Sequence, residues 1–201
     1  MALDGGGALA GPASINDVTR WEVTSSVEVS KTVKTDELTE SWTLKSQGTA
    51  RIASLAPAGS VHVQWGGPQY RPDGAVAYDG TGTATATYRL TVPQRGATEP
   101  GWEDRCSFSG PVPYTAMLFG YPGQPVMGGA KPALAVDSTC VRKGQSMAGE
   151  PHFSPSDIPA SCEGAMPVVK GTTVTLSATC EENGFTIKYR FEAKPAGAGG
   201  R

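Results

Sequence analysis

Between Thr81 and Val92 the chain alternates without a break, and this stretch constrains the fold more than any other. Thr81, Thr83, Thr85, Thr87 and Thr91 fall on one face, and Ala84, Ala86, Tyr88, Leu90 and Val92 on the other. A period of two over more than ten residues describes an extended strand and excludes a helix. One face belongs to a core and the threonine face to water, as in an antiparallel sheet. The preceding Asp79-Gly80 is a hairpin-turn dipeptide, because such turns need positive φ.

The same pattern recurs along the chain. Trp21, Val23, Val27, Val29 and Val33 alternate with polar residues over residues 19–34, followed by a turn at Lys34-Thr35-Asp36. Leu38, Trp42 and Leu44 mark a second strand, and Ser46-Gln47-Gly48 reads as a turn into a third at Thr49–Leu55. Residues 60–65 form a fourth, with His62 on its polar face and a loop after Gly66. Near the C-terminus, Val174, Leu176, Ala178 and Cys180 share a face. Asn183-Gly184 suits a turn, and Phe185, Ile187, Tyr189 and Phe191 form an aromatic-rich returning strand. No segment has helical periodicity beyond one turn at Pro155–Ile158.

Residues 94–170 read differently. The chain holds 26 glycines and 16 prolines among 201 residues, well above the usual combined share of about 12%, and much of the excess lies here. Long irregular connections are expected, with one strand at Ala133–Val141. The fold class is therefore all-β: an antiparallel meander forming a sandwich or partly closed barrel, with a Pro/Gly-rich, disulfide-stapled loop region. Residues 1–16 read as a flexible tether and 195–201 as a tail. Residues 17–194 read as one domain carrying 94–170 as an insertion.

Cys106, Cys140, Cys162 and Cys180 have no C-x-x-C spacing, and His62 and His152 are not at zinc-finger distances. Two disulfides are expected rather than four buried thiols. Of the three pairings, Cys106–Cys140 with Cys162–Cys180 closes each Pro-rich loop onto a strand end. Disulfides imply an extracellular or periplasmic protein whose export signal preceded Ala2, with the N-terminal tail as the place for a membrane tether. A net charge of −2 argues against nucleic acid, and no apolar run is long enough to span a bilayer.

Gly144-Gln145-Ser146-Met147-Ala148-Gly149 resembles a nucleophile elbow, but Glu150-Pro151 follows where a helix is required. Glu150, His152 and Asp157 lie close in sequence with nothing to set their spacing, so they read as loop side chains. The neighbours Glu103-Asp104 and Glu181-Glu182 point to opposite faces of extended chain. No cofactor or metal motif is present. The aromatic residues Trp65, Tyr70, Trp102, Tyr114, Phe119 and Tyr121 sit in or beside Gly/Pro-rich stretches, and Pro113–Tyr121 is apolar enough for a binding lip. Loop aromatics on a rigid sheet suit a protein, small-molecule or carbohydrate ligand. The expectation is an exported, non-catalytic binding protein. The alternatives are a structural subunit of an envelope, appendage or virion, and an enzyme with a dispersed site around His152.

Overall fold

The computed structural model describes residues 15, 18, 20–54, 63–66, 80–120, 127–145 and 148–197. Its strands are β1 (Arg20–Lys34), β2 (Thr39–Ser54), β3 (Val63–Gly66), β4 (Gly80–Val92), β5 (Trp102–Gly120), β6 (Met127–Pro132), β7 (Thr139–Gly144), β8 (Val168–Lys170), β9 (Thr173–Glu182) and β10 (Phe185–Pro195). They form one antiparallel sheet in the order β3-β5-β4-β2-β1-β10-β9-β8, with β6 and β7 also paired to β5. β3 and β4 lie end to end between β5 and β2, while β6 and β7 lie end to end along the other edge of β5.

Alternation sorts the side chains as the sequence requires. Trp21, Val23, Val27 and Val29 of β1, Leu44 and Ile52 of β2, and Ile187, Tyr189 and Phe191 of β10 are buried on one face. Each such residue contributes roughly 1.5–3 kcal/mol on burial. The sheet curls around this face. Ser25 Oγ of β1 donates to the Ala130 carbonyl of β6 at 3.0 Å. The Tyr189 hydroxyl of β10 donates to the same carbonyl at 2.8 Å and accepts from the Ala130 N–H at 2.7 Å. These bonds bring β6 onto strands far from it in the sheet order, giving a half-barrel with the apolar face inside.

Residues between the short strands cover the core. Leu134, Phe153, Pro155, Ile158 and Cys162 are buried, and the Phe153 ring stacks on Tyr88 with centroids 5.5 Å apart. Both expected disulfides are present. Cys106 and Cys140 face each other across β5 and β7, and Cys162 joins the cover to Cys180 on β9.

Three expectations need correction. Ser46-Gln47-Gly48 is no turn but the middle of β2. Gly48 is there because the Tyr114 ring lies against it, and a Cβ would overlap that ring. Second, residues 102–120 are not irregular: they are β5, the longest strand. Its Pro111 and Pro113 escape the usual objection to proline in a sheet. The Pro113 carbonyl bonds Ala133 N–H at 2.8 Å, on the side away from β4. A residue's N and carbonyl point the same way in a strand, so both prolines present their missing N–H to the gap beside residues 108–113 of β5, where neither β6 nor β7 pairs. Third, residues 133–138 form no strand; the regular segments there are β6 and β7. The predicted Asp79-Gly80 turn, His62 and the loop from 67 to 79 lie wholly or partly outside the described residues.

Candidate functional site

The outer face of the sheet is a matrix of polar side chains. One row runs Thr83, Gln47, Ser26, Arg190, Ser177 across β4, β2, β1, β10 and β9; the next runs Thr85, Lys45, Glu28, Lys188, Thr179. Shallow depressions of about 700 and 500 Å³ cross it. Its groups satisfy one another or water: Thr43 and Thr87 hydroxyls meet at 2.6 Å, and Lys45 and Glu28 form a loose, exposed pair at 3.9 Å. Such a face of exposed, mutually paired polar groups keeps the half-barrel wetted.

The aromatic residues singled out from the sequence do not converge. Tyr114 is buried in the core, its ring over Gly48 and Gly82 and its hydroxyl 2.5 Å from Ser46 Oγ, which itself donates to the Thr83 carbonyl. Burial pushes this hydroxyl's pKa up. Trp102 lies at the other end of β5, roughly 40 Å away along the strand at 3.3 Å per residue. The Arg142 guanidinium sits 4.7 Å from its ring centroid. Trp65 of β3 pairs with Leu118 of β5, and Phe119 of β5 pairs with Gln64, so the two are not partners in the ladder. Tyr70 and Tyr121 lie outside the described residues.

Around Trp102 the chemistry is structural. Arg142 makes two 2.6 Å bonds to the buried Asp104 carboxylate and bonds the Ala148 and Gly149 carbonyls at 2.8 and 2.7 Å. All the guanidinium's partners are protein groups, and the bond to Asp104 raises its pKa further. Next along the strand, Glu103 points outward to Arg89 and Arg105, and the Arg105 bond first of all lowers its pKa. The two adjacent carboxylates thus serve separate ion pairs on opposite faces. Glu150, His152 and Asp157 are all exposed, and among the described residues no three potential metal ligands converge. Gly144 ends β7, Ser146 and Met147 of the elbow-like stretch lie outside the described residues, and the next helical segment among the described residues is the single 3-10 turn Pro155–Asp157.

A third depression lies beyond β6, where the face of the β5–β6 ribbon opposite its buried Tyr114, Ala116 and Leu118 meets the inner face of β9 and β10. Here the β5–β6 ribbon stands against β9 and β10, and residues 161–165 of the cover close the third side, leaving a cleft of about 340 Å³. Its walls are Met117 of β5, Gly129 of β6, Ala165 of the cover, Leu176 of β9 and the Tyr189 ring, with Lys131 and Thr115 also lining it. Local sequence keeps it open. A Cβ at Gly129 would stand 3.0 Å from the Tyr189 hydroxyl, so a larger residue there would grow into the gap. The Cys162–Cys180 bridge pins the cover to β9. Tyr189 brings no acid–base chemistry: burial raises its pKa, and its hydroxyl is already engaged by Ala130. The walls are largely apolar, the buried hydroxyl is satisfied internally, and the volume is at the low end of the roughly 300–1,000 Å³ of ligand pockets.

Of the stretch read as a binding lip, Thr115 and Met117 line this cleft while Tyr114 turns into the core. Leu176 and Tyr189 were legible as inward-facing core positions. Gly129 and Ala165 carried no signal, because small residues mark a cleft only once the opposing wall is known. No protein-family model, curated protein or solved structure matches this chain.

Proposed function

We propose that this is an exported, non-catalytic binding protein whose ligand is a small apolar molecule seated between β6 and the β9–β10 pair. The observation that carries the reading is the cleft itself, walled by Met117, Ala165, Leu176 and the Tyr189 ring, with its one buried hydroxyl already bonded. Export is supported by the two disulfides, which persist in oxidising compartments.

Titration with decan-1-ol, followed by amide NMR, tests it. The expected result is a saturable shift of Gly128, Gly129 and Ala165, lost in Ala165→Trp and in Gly129→Val with the remaining spectrum intact. Shifts scattered over the surface, or none, would overturn the reading.

A structural-subunit reading draws on a different observation. β8 ends the sheet with Val168 55% exposed and the preceding Met166 47% exposed, a short edge suited to pairing with another chain. Concentration-dependent association in sedimentation, abolished by Val168→Lys, would favour that reading over a monomeric binding protein.

A further inference from the structure

Resting on the cleft reading, we infer that the ligand is anionic: an alkyl chain ending in a carboxylate, with the chain between Met117 and Leu176 and the carboxylate at Lys131. The apolar walls and their charge carry this together. Lys131 is the one charged residue lining the cleft, it is exposed, and it makes no ion pair among the described residues. Its register partner is Thr115, which also lines the cleft, so an ammonium and a hydroxyl stand side by side where β5 and β6 pair. Glu163, in the covering segment, is exposed and does not line the cleft. Every other basic residue in the β5–β6 ribbon lies at the far end of β5: Arg105 is held by Glu103. The chain chemistry follows from the walls. They offer methyl, methylene and ring surface with the Tyr189 hydroxyl closed off, so a sugar or peptide would lose hydrogen bonds on entry. A long stem with a charged tip keeps the tip wet at the rim and buries the stem.

The test compares decanoate with decan-1-ol on the same protein by calorimetry or amide NMR. Decanoate is expected to bind about two- to fivefold more tightly than the alcohol, the range for an exposed ion pair. That advantage should vanish in Lys131→Gln, reverse in Lys131→Glu, and shrink with added salt. The amide spectrum away from residue 131 should stay unchanged in both variants, which shows that the fold around the cleft is intact. Equal binding of the two probes, or an advantage that survives Lys131→Gln, would overturn the anionic ligand and leave the apolar cleft standing. Failure of both probes to bind would remove the cleft reading along with it.

Discussion

From β4 to β9 the half-barrel is a run of long strands whose successive ladders hold nine to fifteen residue pairs. Beyond β5 the sheet breaks into β6 and β7, with six pairs each. The long-strand side is specified by alternation: slipping any ladder by one residue would exchange its valines for its threonines. The broken side has too few pairs for that. It relies on point fixtures: the Cys106–Cys140 bridge, the Arg142–Asp104 pair, the Tyr189–Ala130 bonds and a tyrosine packed on glycine. The difference shows where a cleft can open in such a fold. Continuous ladders leave no gap, whereas a short strand held at its ends leaves one beside it, and the cleft lies beside β6.

That contrast predicts unequal responses to substitution. Arg142→Ala strands the Asp104 carboxylate, whose side chain is only 5% exposed, and should cost about 3–5 kcal/mol in urea unfolding. Glu28→Ala, which removes an ion pair from the long-strand side, should cost less than about 1 kcal/mol. Equal costs would abolish the distinction. Replacing both partners with apolar residues of similar size, as in Asp104→Leu with Arg142→Met, should recover much of the loss.

The junction of the two sides is next. Gly48→Ala drives a methyl into the Tyr114 ring and should cost about 1–3 kcal/mol. In a Tyr114→Ala background the same substitution should be nearly neutral. A full cost there would mean that Gly48 is required by the strand and not by the ring.

A further effect is a pH dependence. Burial holds the Tyr114 and Tyr189 hydroxyls above their ordinary pKa of 10.0, and burial with the Glu40 hydrogen bond does the same for Tyr88. The folded state therefore keeps protons that the unfolded chain releases. Their contribution is complete below pH 10 and falls as pH rises through the folded values. Each such tyrosine should cost up to about 1.4 kcal/mol per pH unit in that window. Denaturation midpoints on either side of it should differ, and Tyr189→Phe should reduce the difference.

The legibility of the sequence follows the same division. β1, β4, β9 and β10 stand close to where period-two patterning put them, because one face of each is core and the other water. β5 was hidden by Pro111 and Pro113, which read as loop punctuation until the gap between β6 and β7 shows where their missing N–H groups fall. Gly48 was misread for the parallel reason: a packing glycine and a turn glycine look alike until the ring that needs the space is seen. The disulfides were legible from even number and spacing. The cleft was not, because its walls come from five segments whose apposition depends on the curl of the sheet. Aromatic content pointed instead to Tyr114, which packs the core, and Trp102, which lies under Arg142.

The most direct test of the account is a set of intermolecular nuclear Overhauser effects in the decan-1-ol complex, recorded on protein with labelled Met, Leu, Val and Ala methyl groups. Contacts from the alkyl chain to Met117, Ala165 and Leu176 together would place it in the cleft beside β6. Contacts to Val168 and Met166 alone would place the apolar ligand on the exposed β8 edge and contradict the account.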